Sequence, residues 1–297
     1  MKFGALPTLQ AVVRRGNFAA AAQELGLTPS AVSQQMRQLE DWFGQPLFDR
    51  SGRAVKPTAF AAEVVAMVDG ALSGLQALRD RNRPEVGGRV RLGVINSVQM
   101  STLPAMLRTA ARRYPTLDVT LEPENTSGKL LESLKAGDID AAVVVRPRTG
   151  LSRQFIGEVL TEEPFVLLYP QEYAGPISVP EIVRGCPWVR YNLNLEGGRM
   201  ASAFVRRLVP GLQARYEVMM TDAVVSMVSA GLGFSVIPKP RQRILDAYAV
   251  QVIRLDRQMP RRPIVLVRRA ADSESRRIDA LLRCMQEVYA TATNPPG

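Results

Sequence analysis

The sequence predicts a chain of mixed class: a small all-α unit with a hairpin wing, one long helix, and an α/β region folded as two lobes. Three observations predict it. Two short apolar-periodic segments, each opened by a capping residue, lie between residues 17 and 43. A longer periodic stretch follows Thr58. Past a break rich in proline and glycine at residues 82–88, strand-sized apolar runs alternate with helix-sized periods, which is the pattern of α/β architecture. At 297 residues the chain is long enough for two or three compact units.

Residues 3–15 read as an opening helix that buries Leu6, Leu9, Val12 and Val13 and closes at Gly16. Asn17 N-caps the next helix, whose Phe18, Ala21, Ala22 and Leu25 recur at i, i+3, i+4 and i+7. Gly26 ends it, because a left-handed C-terminal residue is cheapest for glycine. Thr28 caps a third helix, with Pro29 at the first helical position, where a missing N–H costs nothing. A three-residue turn between two helices is helix-turn-helix spacing. On the third helix Val32, Met36, Leu39 and Phe43 form an apolar stripe, while Ser30, Gln34 and Arg37 gather opposite, with Ser33 on the flank and Thr28 at the start. Arginine can pair with guanine, glutamine with adenine, and serine can serve base or phosphate, so this face suits a major groove. Taken alone, it is equally the solvated face of an ordinary amphipathic helix. The caps, the short turn and the polar face together favour a reader of duplex DNA.

After the third helix, Leu47 and Phe48 can anchor a hairpin, and Ser51-Gly52 supplies turn chemistry. Arg50, Arg53 and Lys56 then project from one short loop, as in a wing that reaches phosphates or the minor groove. A solvated basic loop is the alternative. The unit spans residues 1–58 and reads as a winged helix-turn-helix.

Four segments carry a family resemblance: Ala20-Ala21-Ala22-Gln23-Glu24-Leu25, Thr28-Pro29-Ser30-Ala31-Val32-Ser33-Gln34-Gln35, Leu39-Glu40, and Pro46-Leu47-Phe48-Asp49-Arg50. They resemble the N-terminal signature of LysR-type transcriptional regulators, and chain length and downstream layout fit that family throughout. The resemblance implies a C-terminal effector domain similar to periplasmic binding proteins, with two lobes joined by crossover strands. It also implies a homotetramer on promoter DNA, with activation the commoner outcome.

Thr58 caps a long helix to about Arg81, in which Val65, Val68, Leu72 and Leu75 step by three, four and three. That is the rhythm of a helix pairing with its own copy. Gly70 and Gly74 each weaken it by about 1 kcal/mol relative to alanine, so support from neighbouring domains is expected, and packing within one subunit stays open. This helix and the Asn82–Gly88 hinge form a connector over residues 59–88. Beyond it, residues 89–95, 117–122 and 139–145 read as strands, with helices at 100–114 and 128–136 between them. A second set of strands follows at 165–169, 188–191, 215–219, 234–237, 250–255 and 264–268, with helices at 200–208, 222–230 and 275–290. The alternation implies parallel sheets with right-handed crossovers. One lobe is placed at about 89–160 and 265–297, the other at 161–264, with crossovers near 160–165 and 259–265.

A ligand in such a domain sits at the carboxyl ends of the strands. Asn96 and Ser97 follow the first effector strand, and Asn125 and Thr126 follow the second. Both loops lead into helices and could cradle a carboxylate, and the resemblance assigns effector contacts to both. Plain capping and turn chemistry is the alternative for each. Arg146 ends the third strand, where it could pair bidentately with an acid. From the other lobe Asn192 and Thr221 could close over the ligand, joined by Tyr191, Asn194 and Arg199. Asp138 and Asp140 read as structural turn residues.

Composition bounds the rest. The chain has no histidine, which excludes Ser-His-Asp and Cys-His centres and a histidine-held metal. Cys186 and Cys284 share no metal-ligand spacing and read as free thiols. No catalytic residue, metal or cofactor is expected. A net charge of +10 favours polyanionic partners, yet residues 1–60 carry seven Lys/Arg against four Asp/Glu. Most of the excess therefore lies outside the duplex reader. No apolar run approaches the roughly 18 residues of a membrane helix, and no export signal is seen, so a cytoplasmic protein is expected. The reading is a regulator controlled by an organic acid or amino acid in the cleft. Its partners are double-stranded promoter DNA, the effector and its own copy in a homodimer or homotetramer, with RNA polymerase as a further candidate. The alternatives are a DNA-binding repressor or architectural protein that needs no effector and uses the lobes for oligomerisation, a solute receptor, and an α/β enzyme with a DNA tether.

Overall fold

The computed structural model describes residues 3–49, 55–81 and 85–293. A short 3-10 turn, Phe3–Ala5, leads into α1 (Leu6–Arg15), α2 (Phe18–Leu25) and α3 (Pro29–Phe43). The caps sit where the residue types place them. Asn17 Oδ1 accepts from the N–H groups of Ala19 and Ala20 at 2.7 and 3.3 Å, and Thr28 Oγ1 accepts from Ala31 N–H at 3.2 Å. Gly16, Gly26 and Gly44 close the three helices at φ 63°, 64° and 65°. Leu9, Val12, Ala21, Ala22, Val32, Met36 and Leu39 form the core of this unit. Leu25, expected on the inner face, is instead exposed, on the last turn of a two-turn helix and outside the core cluster.

Leu47 and Phe48 are buried against the same core. Glu40 Oε1 accepts from their N–H groups at 2.9 and 3.2 Å, which fixes the hairpin to α3. Strand β1 (Phe48–Asp49) pairs antiparallel with β2 (Lys56–Pro57). The Ser51-Gly52 turn, Arg50 and Arg53 lie outside the described residues. Thr58 then caps α4 (Ala59–Arg81), its Oγ1 accepting from Ala61 N–H at 3.1 Å. The expected stripe on α4 divides in two. Val65 and Val68 pack against the N-terminal core, whereas Leu72, Leu75 and Leu78 stand 46%, 62% and 59% exposed.

The effector region begins with β3 (Gly88–Val94), α5 (Asn96–Ser101), α6 (Leu103–Arg113) and β4 (Leu117–Leu121). It continues through α7 (Ser127–Ala136), β5 (Ala141–Val145) and β6 (Phe155–Glu163). The second lobe holds β7 (Phe165–Pro170), α8 (Val179–Gly185), β8 (Trp188–Tyr191), α9 (Glu196–Leu208) and β9 (Ala214–Val218). After these come α10 (Thr221–Ser229), β10 (Ser235–Pro238), α11 (Gln242–Asp246) and β11 (Val250–Arg254). The chain returns to the first lobe through β12 (Arg262–Arg269) and ends in α12 (Arg276–Thr293).

The first sheet has the order β4-β3-β5-β12-β6. Strand β3 runs parallel to β4 and β5, but β12 is antiparallel to both β5 and β6. The expectation of wholly parallel sheets is therefore corrected. A chain that leaves one lobe by β6 and re-enters by β12 must run in opposite senses, so the two pair antiparallel. In the second lobe β10-β7-β11 is antiparallel, and β8-β9 is parallel, joined to it by a bridge between Trp188 and Phe234. Strand β6 and the helices α8 and α11 were not foreseen, and residues 96–99, expected as a loop, form the start of α5. Each lobe has its own core, one around Leu92, Val143 and Leu266 and the other around Phe165, Trp188 and Phe234. Among the described residues no helix is long and apolar enough to cross a membrane.

Candidate nucleic-acid interface and ligand cleft

Burial divides α3 by chemistry. Val32, Met36 and Leu39 are sealed inside, while Ser30, Gln34 and Arg37 are exposed and Ser33 is half-buried between the two sides. Thr28 caps α3, and the exposed row from Ser30 to Arg37 spans about two turns, a length suited to a major groove. Thr28 is held by its capping bond and by Ser30 Oγ at 3.0 Å, so its hydroxyl is committed locally. Lys56 is exposed on β2.

The second candidate site lies between the lobes. A cavity of about 390 Å³ opens at the carboxyl ends of β3 and β5 and is closed from the other side by β8, α9 and the residues after β9. Asn96, Ser97 and Asn125 line it, as anticipated. Asn96 N–H donates to Asn125 O at 3.3 Å, which holds the two polar loops side by side. Ser127 also lines it, and its Oγ accepts from Val145 N–H at 3.1 Å. The second lobe contributes Tyr191, Leu195, Glu196, Met219 and Met220.

The cleft arginine is Arg262, which was not foreseen. It is 3% exposed, with Nε donating to Glu163 Oε2 at 3.0 Å and Nη2 donating to Ser97 Oγ at 3.1 Å. Burial is the largest single influence and lowers the guanidinium pKa, but Glu163, Tyr191 and Tyr289 together outweigh it, and the net displacement is upward. Tyr191 stands beside this pair, its phenol pushed up by burial first of all. Glu196 opens α9 and is almost fully buried, with Arg199 Nε donating to its Oε2 at 3.1 Å. The cleft thus combines one balanced arginine, one carboxylate, several amide and hydroxyl groups, and an apolar wall.

Four anticipated contacts lie elsewhere. Arg146 is exposed, its N–H donates to Pro263 O at 2.9 Å, and its side chain lines a separate hollow. It leaves the cleft because Val145, one residue earlier, takes the cleft side of the chain. Thr126 occupies the N-cap position of α7 but makes no side-chain cap bond and lies outside the cavity lining. Asn192 Oδ1 accepts from Asn194 N–H at 2.8 Å, a turn role away from the lining. Thr221 borders a small adjoining recess of about 50 Å³ that also touches Ser97 and Arg262. Arg199 is held by Glu196 and by Leu193 O at 3.1 Å. Asp140 accepts from Arg91 N–H and Nη2, both at 2.8 Å, so it ties strand to strand. Arg262 escaped notice because its burial depends on Glu163, 99 residues away. In the local sequence it is one of two arginines before an apolar run.

Comparison with known proteins matches both parts. Residues 3–62 fit the model of the bacterial regulatory helix-turn-helix protein, lysR family, and residues 83–290 fit that of the LysR substrate binding domain. The HTH-type transcriptional regulator YfeR of Shigella flexneri is 27% identical over 278 residues, covering 91% of this chain and 88% of its own. The probable HTH-type transcriptional regulator LrrA of Synechococcus elongatus is 29% identical over 250 residues, covering 80% and 81%. Full-length OxyR from Pseudomonas aeruginosa superposes with a TM-score of 0.73 at 21% identity, over 96% of this chain and 95% of its own, a likeness of fold. The helix-turn-helix with its exposed polar row, the two lobes around a polar cleft and these matches lead to one conclusion: the chain belongs to the LysR family of transcriptional regulators.

Proposed function

We propose that this regulator sets α3 into the major groove of promoter DNA and answers to a small amino acid held in its inter-lobe cleft. Ser30, Ser33, Gln34 and Arg37 meet base edges and nearby phosphates, and Lys56, with Arg50 and Arg53 of the wing, neutralises backbone charge. Two or four copies pair through α4, so that two reading helices address a partly symmetric operator. The protein works in the cytoplasm, where promoter DNA and RNA polymerase are found.

One observation carries the choice of effector: among the described residues the one arginine lining the cleft is balanced by Glu163, and Glu196 on the facing wall is balanced by Arg199. A dianion would find no uncompensated cation there. A zwitterion meets complementary groups at both ends. Its carboxylate faces Asn96, Ser97 and the N-terminal turn of α7, its ammonium faces Glu196, and its side chain lies on Ile95, Met219 and Met220. Occupancy then favours one arrangement of the lobes, by as much as the ligand's affinity differs between arrangements.

A thermal-shift series of apolar amino acids beside their N-acetyl and deaminated analogues tests this, because a ligand specific to the folded state raises the midpoint. The expected result is a shift with the free amino acid and none with either analogue. Equal shifts with the deaminated acids would remove the zwitterion and leave an organic acid. The DNA reading is tested separately by retention of promoter fragments.

A further inference from the structure

A second hollow lies on the far side of the segments that join the lobes. Successive side chains of an extended strand face opposite ways. Val145 lines the cleft and Arg146 the hollow, and Arg262 lines the cleft while its neighbours Arg261 and Pro263 line the hollow. Helix α9 divides along its length. Its first turn, with Glu196 and Gly197, closes the cleft, whereas Met200, Ala203, Phe204 and Arg207 at i, i+3, i+4 and i+7 form one face over the hollow. The hollow has a volume of about 450 Å³ and shares no lining residue with the cleft.

Its chemistry is one-sided. Among the described residues Arg146, Arg148, Arg207 and Arg261 line it, and no carboxylate does. Phe204 and Met259, both buried, give it an apolar floor. Arg207 is already positioned, its Nη2 donating to Gln258 O at 2.8 Å and its guanidinium standing 5.4 Å over the Phe204 ring. Arg261 has a distant carboxylate partner in Asp256, at 3.5 Å. Arg146 and Arg148 show no ion pair among the described residues. Four like charges around one cavity repel, and an anion placed among them reverses the sign of that interaction.

We propose that this hollow is a second ligand site, for an organic anion with an apolar, planar body and two acidic oxygens, such as those of an aromatic dicarboxylate or an aryl phosphate. Guanidinium forks match carboxylate and phosphate geometry, and the phenylalanine and methionine floor takes the body. Arg146 and Arg148 extend from the first lobe and Arg207 from the second, so the bound anion braces one lobe against the other. It acts on the same equilibrium as the cleft ligand without occupying its place.

Calorimetric titration of the full-length protein with phthalate, and with phenyl phosphate in parallel, tests the site. Four forms are compared: wild type, Arg146→Ala/Arg148→Ala, Ala203→Trp and Ser97→Ala. Arg146, Arg148 and Ala203 are all exposed, so folding is preserved, and Ala203→Trp fills the hollow without removing a charge. Saturable binding is expected in wild type and Ser97→Ala alike, with a loss of about tenfold or more in both hollow variants, as for the removal of a charge-assisted bond. Equal binding by the hollow variants overturns the proposal, as does a loss confined to Ser97→Ala, which would send the anion to the cleft. Failure of both probes to saturate wild type by about 10 mM, an affinity weaker than about 3 kcal/mol, also overturns it. So does an unchanged titration accompanied by weaker binding of random duplex, since the arginines would then serve DNA.

Discussion

Arg262 brings a full charge into the boundary between the lobes, where Glu163 and Ser97 receive its donors. Withdrawing two charges from water is offset only by close geometry, and removing one partner strands the other, at about 3–5 kcal/mol. Glu163 keeps some contact with water, its side chain being 22% exposed, so the lower end applies. Arg262→Ala is expected to lower unfolding stability by about 3 kcal/mol, and Glu163→Gln, which strands the more deeply buried charge, by at least as much. Urea titration of both variants measures the difference, and equal small losses would show that the pair contributes little. The residues of α3 are tested by specificity. Gln34→Ala and Arg37→Ala are each expected to cost about 1–3 kcal/mol on operator and much less on random duplex. Lys56→Ala is expected to weaken both alike and to reduce the salt slope by about one. Equal losses on both duplexes for all three variants would reject this division of roles.

Helix α9 shows how an element fixes the site. Gly198 lies in its first turn, where an added Cβ would stand 1.9 Å from Asn192 O and 2.7 Å from Tyr191 O. Backbone cannot yield as a flexible side chain does, so α9 approaches the end of β8 only because this residue has no side chain. Gly198→Ala is expected to destabilise the protein by about 2 kcal/mol and to weaken effector binding by displacing Tyr191 and Glu196 together. Thermal unfolding and ligand titration of one preparation check both, and an unchanged midpoint would show that α9 can shift freely. Such close approaches are invisible in a sequence, where Gly197-Gly198 reads only as a weak spot. What could be read was local. Asn17, Thr28 and Gly26 announce their helix ends through their own backbone chemistry, and the Ala141–Val145 run announces a strand covered on both faces. Strand β6 was missed because Gly157, Glu158 and Glu162 interrupt any apolar pattern, and its pairing with β12 spans about a hundred residues. The polar loops of the cleft were legible at Asn96, Ser97 and Asn125 for the same local reason. Arg262 was not, since partner and burial both come from tertiary structure.

At the scale of the whole molecule, α4 carries the proposed contact between copies and a junction within one chain. Its exposed Leu72, Leu75 and Leu78 are available to a second copy, and Leu72→Glu/Leu75→Glu is expected to lower the mass seen in sedimentation and weaken operator binding. An unchanged mass would move the dimer contact elsewhere. The same helix also joins the N-terminal unit to the effector domain. Asp69 on α4 accepts from Gln10 Nε2 of α1 at 2.5 Å and lies near Arg269 and Asp272 of the effector domain, while Arg14 reaches Asp138 at 3.6 Å. Burial pushes the Asp69 carboxyl upward more strongly than Gln10 and Arg269 hold it down. The folded protein therefore keeps this proton to a higher pH than the unfolded chain does. Stability from Asp69 is fully present below the ordinary aspartate value of about 3.9 and is lost as pH rises through the folded value. Asp69→Asn keeps an acceptor for Gln10 and carries no charge at any pH. Relative to wild type, the variant is expected to gain stability progressively as pH rises above about 4, and then to hold a constant advantage. Denaturation of both proteins at a series of pH values gives the difference directly. A difference that is flat, or that falls with pH, would mean that Arg269 and Gln10 dominate and that the junction favours the charged form.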